Sequence, residues 1–190
     1  MNPVAPPVGH GWLRRAARVL RAGGVVAYPT ESVYGLGCDP RNAEAVARVL
    51  RLKGRSTAKG FILIAADPSQ LAGLVQTSGQ GWGLACATWP GFVTWVLPAA
   101  RSAPPWLTGD RGTVAVRVTA HPVAKALCLA FGGPLVSTSA NRSGRPPARS
   151  ALGVRRTFPR GLDLIVPGAL GTEPRPSPII DGATGRPLRD

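Results

Sequence analysis

Carboxylates are scarce in this chain. Its 190 residues include nine Asp and Glu against 23 Lys and Arg, for a formal net charge of +14. So few acidic groups argue against a two-metal nuclease, and the surplus positive charge implies an anionic partner, a nucleotide or a nucleic acid. Lysine is scarce too: Lys53, Lys59 and Lys125 are the full set, so nearly all the positive charge is arginine. An arginine bias can follow from codon composition alone, so it weighs little as evidence for RNA. The three cysteines, Cys38, Cys86 and Cys128, are scattered without CxxC spacing, which indicates neither a disulfide framework nor a zinc site. His10 and His121 stand alone, and no Ser/His/Asp or Cys/His triad is evident. There is no GxxxxGK[ST] loop and no GxGxxG, so neither a P-loop nor a dinucleotide fingerprint is present. No apolar run approaches the length of a membrane span and no signal-peptide core is visible, so the expectation is a soluble, cytoplasmic protein without a membrane partner.

What is present is globular. Hydrophobic residues make up 44% and charged ones 17%, and 190 residues suit one domain with a sizeable core. Residues 12–21 place Leu13, Ala16, Ala17 and Leu20 on one helical face, ending at Gly23-Gly24. Val25 to Tyr28 reads as a buried strand stopped by Pro29, followed by a loop from Thr30 to Pro40. Asn42 suits the cap of a helix through Leu52, and Phe61 to Ala65 is the next strand. Asp67-Pro68 looks like a further cap with proline at the first helical position. Thr94–Leu97, Val114–Val118, Leu135-Val136, Leu164–Val166 and Ile179-Ile180 read as strands, and Pro122–Phe131 and Ser150–Thr157 as helices. This interleaving fits an α/β or α+β sheet. The Gly- and Pro-rich stretch from Pro167 to Pro178 reads as a mobile surface loop, a linker by composition or else a cover over a site.

Four segments are candidates for chemistry. Leu135-Val136 runs into Ser137-Thr138-Ser139-Ala140-Asn141, where small hydroxyls and open backbone N–H groups suit anionic oxygens, though an ordinary Ser/Asn turn has the same composition. Tyr28 to Gly37 sits where a strand ends, with hydroxyls at Thr30 and Ser32 and close backbone approach at Gly35 and Gly37, or else it is a tight turn around a packed tyrosine. Lys53, Arg55 and Lys59 form a cationic cluster that would neutralise a polyphosphate, or simply a solvated basic loop. Arg117 lies inside the apolar strand Thr113–Val118. If buried it needs a partner: a ligand carboxylate or phosphate, or an internal carboxylate such as Asp110 or Glu31.

Taken in order, PTESVYGLG (29–37), KGR (53–55) with KGFILI (59–64), WPGFVTWVLP (89–98), TVAVRVTAHP (113–122), PLVSTSANRSG (134–144) and SPIID (177–181) resemble the YrdC-like threonylcarbamoyl-AMP synthases. The likeness spans about residues 12–190 and is similar to the short, single-domain bacterial form, with one domain over 1–190. It implies a twisted mixed β-sheet flanked by helices around a large basic cavity. It also implies a reaction in which L-threonine, bicarbonate or CO2 and ATP give threonylcarbamoyl-adenylate and pyrophosphate. Downstream proteins then transfer the threonylcarbamoyl group to an adenosine of certain tRNAs. By motif position, Thr30, Arg117 and Ser177 would form the threonine site, with Arg117 on the carboxylate. Lys53, Arg55 and Lys59 would hold the phosphates, Lys53 and Arg55 being the catalytic pair. Thr113, Ser137, Ser139 and Asn141 would line the nucleotide pocket. Mg2+ would arrive with ATP, and no protein metal site is implied. One departure stands out: Ser56 replaces the proline many relatives carry after K-x-R. Two other readings remain: a module holding tRNA or double-stranded RNA in the basic cavity, or a paralogue acting on a different carbamoylated substrate.

Overall fold

The computed structural model describes residues 9–54 and 61–189. Arg55, Ser56 and Lys59 therefore lie outside the described residues. One nine-stranded mixed sheet organises the chain, in the order β7-β1-β2-β6-β3-β5-β4-β8-β9. Its strands are β1 (Val26–Pro29), β2 (Tyr34–Gly37), β3 (Ile62–Ala65), β4 (Thr94–Pro98), β5 (Thr113–Val118), β6 (Leu135–Ser139), β7 (Leu164–Ile165), β8 (Ile179–Asp181) and β9 (Pro187–Arg189). The pairs β1–β7, β3–β5 and β4–β8 run parallel and the remaining neighbours antiparallel. Among the described residues, six α-helices flank the sheet: α1 (His10–Arg21), α2 (Ala43–Lys53), α3 (Gln80–Thr88), α4 (Pro105–Thr108), α5 (Pro122–Phe131) and α6 (Ala151–Thr157). None of the described helices is long and apolar enough to cross a membrane.

The near-continuous apolar run of β3 follows from its place in the middle of this sheet. Successive side chains point to opposite faces, and both faces are covered. Leu63 and Ala65 join a cluster with Val46 and Val49 of α2, while Ile64 and Ala66 join a second with Leu20 of α1 and Leu127 of α5. Burying side chains of this size contributes about 1.5–3 kcal/mol each, which fixes the helices to their faces. A third cluster sets Val154 and Phe158, on and just beyond α6, against Tyr34 and Leu36 of β2.

The helix ends follow their local chemistry. The Asn42 side chain accepts from the Ala45 amide and starts α2, while Gly54, at φ 60°, closes it. His121 accepts from the Ala124 amide and Pro122 occupies the first turn of α5; Ser150 caps α6.

Three segments differ from the sequence expectation. The Asp67-Pro68 start yields only one 3-10 turn, Pro68–Leu71, because the chain leaves helical angles at Ala72 and Gly73 has φ 76°. The expected loop from Thr30 to Pro40 contains β2, whose sequence YGLG has poor strand propensity but whose place between β1 and β6 supplies hydrogen bonds on both sides. The expected mobile loop from Pro167 to Pro178 is tied down. The Gly171 amide donates to Thr30 O, the Glu173 amide to Glu31 O, and the Tyr34 hydroxyl to Gly168 O.

Candidate active site

Sheet register builds the floor of a cavity of about 370 Å3. Ser137 of β6 pairs with Ile62 of β3, Ile62 with Ala115 of β5, and Ala115 with Val96 of β4. All four line the cavity. Farther along the same sheet face, α1 and α5 pack over Tyr28, Ile64 and Leu135, so the cavity occupies the part these helices leave uncovered. The alternation of β5 does the rest: Val114, Val116 and Val118 enter the core behind the sheet, while Thr113, Ala115 and Arg117 face the cavity. Thr30 and Ser32 of the β1–β2 loop, Ser177 of the 167–178 segment, and Leu188 and Arg189 of β9 form walls.

Arg117 is 6% exposed and needs compensation for its charge. Its Nη2 donates to Glu31 Oε2 at 3.1 Å, and the Thr119 hydroxyl donates to Glu31 Oε1 at 2.6 Å. Of the two internal partners the sequence offered, Glu31 and Asp110, it is therefore Glu31 that pairs. The guanidinium carbon lies 5.1 Å from the centroid of the Phe92 ring, which adds a cation–π contact. Arg117 Nε, in contrast, is buried with no hydrogen-bond partner among the described residues. A buried, unsatisfied N–H costs about 1–3 kcal/mol, so this guanidinium is not fully compensated by its described neighbours.

The segment expected as a loose linker delivers Ser177. This residue is 4% exposed, its hydroxyl lies 2.9 Å from that of Thr94, and its carbonyl accepts from Arg189 Nη2 at 2.8 Å. The Thr30 hydroxyl donates to Val33 O at 2.7 Å, leaving its oxygen lone pairs as acceptors. At Gly171 the strap comes so close to the β1–β2 loop that a Cβ would stand 2.7 Å from Glu31 O and 2.8 Å from Glu31 Cα. His121 ties the strap down from the other side: Nδ1 accepts from the Ala124 amide, so Nε2 carries the hydrogen and donates to Ala169 O at 3.2 Å. Burial holds this imidazole below its ordinary pKa, against the opposing pull of nearby Glu31.

Lys53 occupies a different position from the one its motif suggested. It is 4% exposed and absent from the cavity lining. Its ammonium donates to Ser139 O, Asn141 O and Asn141 Oδ1, which engages all three of its hydrogens. Asn141 is also turned inward. Its Oδ1 accepts from the Ser139 hydroxyl as well, and its amide donates to Arg142 O and Arg145 O. Lys53 and Asn141 thus brace the loop after β6, and Ser137, Thr138 and Ser139 are the residues of that run that reach the cavity.

Arg111 and Arg189 line the cavity and were not singled out from sequence. Arg189 sits in a late three-residue strand that is exposed at every position, so no apolar pattern marks it. Burial and the neighbouring Arg117 lower its pKa from the ordinary arginine value. Among the described residues, three arginines and no carboxylate line the cavity. Among the described residues, no group of three or more His, Cys, Asp or Glu is placed to hold a metal ion. Burial pushes the Cys38 and Cys128 thiols up to about 12, which removes them as nucleophiles at neutral pH.

The fold is shared with known proteins. The family model Sua5_yciO_yrdC, described as telomere recombination, matches residues 18–190. The chain belongs to the Sua5/YciO/YrdC family. It is 58% identical over 190 residues to the threonylcarbamoyl-AMP synthase of Halorhodospira halophila, covering 100% of both chains. To the threonylcarbamoyl-AMP synthase of Nitrosococcus oceani it is 57% identical over 178 residues, 93% of this chain and 96% of the other. Among solved structures it resembles P. abyssi Sua5 complexed with L-threonine, with a TM-score of 0.85 and 36% identity over 92% of this chain. It spans about half of that longer protein, 52% of its chain. E. coli YciO matches with a TM-score of 0.81 and 28% identity, over 97% of this chain and 94% of that one.

Proposed function

We propose that this Sua5/YciO/YrdC family member is a threonylcarbamoyl-AMP synthase, a nucleotidyltransferase that makes threonylcarbamoyl-adenylate and pyrophosphate from L-threonine, bicarbonate or CO2 and ATP. The observation that carries the reading is Arg117: a buried guanidinium facing the cavity with one N–H edge unfilled. High identity to threonylcarbamoyl-AMP synthases along the whole chain supports it, as does a fold shared with a threonine-bound Sua5.

In this reading the threonine carboxylate sits against Arg117, and the hydroxyls of Thr30 and Ser177 border the rest of the amino acid. The threonine nitrogen adds to the carbon of CO2, or of bicarbonate with loss of water, giving a carbamate. A carbamate oxygen attacks the α-phosphorus of ATP; the new O–P bond forms as the bond to the β-phosphate oxygen breaks, and pyrophosphate leaves with the electron pair. Most of the acceleration comes from holding two anions in line and spreading the developing charge over fixed cations. Arg55 and Lys59 hold the phosphates. Lys53 contributes by fixing the Ser139–Asn141 loop, and Thr113, Ser137 and Ser139 border the nucleotide. Mg2+ enters with ATP as part of the substrate, since the Glu31 carboxylate is already engaged by Arg117 and Thr119. The whole chain acts as one domain in the cytoplasm, and its adenylate passes to separate proteins that modify tRNA.

The test is pyrophosphate release from ATP with and without L-threonine and bicarbonate. Release that requires both, and that is lost in Arg117→Ala, is the expected result. A folded protein that releases none under any combination overturns the reading.

A further inference from the structure

We propose that Glu31 is a specificity-determining residue: by neutralising Arg117 from behind, it reserves that guanidinium for a single carboxylate and keeps polyphosphate off it. The inference rests on the synthase reading and deepens it. The problem it solves is set by the composition of the cavity. Three arginines among the described residues line it, and ATP and L-threonine both present anionic oxygens, ATP as a polyanion and threonine as the single carboxylate of a zwitterion. ATP, with several negative charges, would outcompete an amino-acid carboxylate for any uncompensated cation in reach, since Coulomb attraction scales with the product of the charges.

The three arginines are not equivalent. Arg189 is held by a backbone carbonyl, Ser177 O, which supplies a dipole and no net charge. Arg111 lies on the exposed rim. Arg117 alone has a carboxylate partner in the ion pairs of the described residues around the cavity. Both members of that pair are buried, with side chains 8% exposed, so bulk water screens little of the field of Glu31. An anion in the cavity that reaches the Arg117 guanidinium therefore meets hydrogen-bond donors embedded in a neutral pair. A monocarboxylate gains the directional bond and pays little repulsion, whereas a di- or trianion is repelled by Glu31 in proportion to its charge.

Glu31 is fixed in this role from several sides. Thr119 donates to its second oxygen, the strap lies on its backbone at Gly171, and the Glu173 amide takes its carbonyl. Without the carboxylate, Arg117 would remain buried beside Arg189 with its charge uncompensated, a ready pyrophosphate site.

The experiment is calorimetric titration of L-threonine in the absence of ATP, with and without inorganic pyrophosphate, for the wild type, Glu31→Gln and Thr119→Val. In the wild type, pyrophosphate is expected to leave the threonine Kd within about twofold. In Glu31→Gln it is expected to compete, raising the apparent threonine Kd by about tenfold or more, as one unscreened charge at a few ångströms would dictate. Thr119→Val keeps the charge and loses only one hydrogen bond, so threonine should bind a few-fold more weakly with no competition from pyrophosphate. Competition in the wild type, or its absence in a folded Glu31→Gln, overturns the proposal. Should Glu31→Gln not fold, competition in Thr119→Val overturns it and a non-competing wild type supports it. A wild type that binds no threonine at all fails the synthase reading instead, so the two failures are separable.

Discussion

Two buried cations, Arg117 and Lys53, carry the same charge at nearly the same burial, 6% and 4% exposed, and do opposite things with it. Lys53 spends all three ammonium hydrogens on loop oxygens. Arg117 lines the cavity, meets one carboxylate with one nitrogen and leaves Nε buried without a partner among the described residues. The difference lies in side-chain geometry as much as in position. A flexible ammonium rotates until its compact donors are used, whereas a planar guanidinium anchored at one edge holds the other edge at a fixed angle. A saturated cation shapes a site; an unsaturated one binds.

Removing each cation breaks the comparison most directly. Arg117→Ala should lower threonine-dependent pyrophosphate release on the order of 100-fold, about 3 kcal/mol, because a charge-assisted contact is lost and Glu31 is left buried without its partner. Steady-state kinetics with varied threonine checks this. Lys53→Met should raise the KM for ATP by about tenfold, roughly 1.4 kcal/mol, and raise the threonine Kd far less than Arg117→Ala does. Because Lys53 acts through Asn141, the double variant with Asn141→Ala should be non-additive by about 1 kcal/mol in a double-mutant cycle. Full additivity would mean that Lys53 acts on the substrate by itself.

A third variant sharpens the role of the strap. Gly171→Ala places a Cβ against backbone atoms of Glu31, which cannot move aside as a side-chain tip would. It should cost about 1–3 kcal/mol in thermal unfolding and raise the KM for threonine more than that for ATP. The smallest effect is a pH dependence. Burial lowers the His121 pKa in the folded chain below its ordinary 6.5, so the unfolded chain binds the extra proton first. Stability from the neutral ring is present above about pH 6.5 and is lost as the pH falls below it, with Glu31 and Arg117 as the facing charges. Denaturant melts of wild type and His121→Gln between pH 7.5 and 5, read as the difference between the two slopes, test this.

Much of the scaffold was legible because its signals are local. The Asn42 cap, the bounds of Pro122–Phe131 and the alternation that sends Arg117 the opposite way from Val116 and Val118 all follow from neighbours in sequence. The misses share another cause. YGLG forms a strand because two partners flank it, α3 carries Gly81 and Gly83 with weak amphipathic signal, and β9 is an exposed edge. The Gly- and Pro-rich strap has linker composition, yet hydrogen bonds from residues more than a hundred positions away, Tyr34 among them, hold it down. Composition reports the propensity of a segment, and long-range partners decide its outcome.

The sequence by itself determined the family, through six ordered motifs, and the inventory of cations and small hydroxyls from which the site is made. Tertiary structure decided which of the described cations face the cavity. Lys53 and Asn141 turn inward because loop carbonyls satisfy them; Arg111 and Arg189 join the lining because the last strand and a short turn fold back to the sheet. Glu31 and Arg117, 86 positions apart, become one pair because a charge leaving water needs its counter-charge within hydrogen-bond reach, and only the folded sheet brings them together.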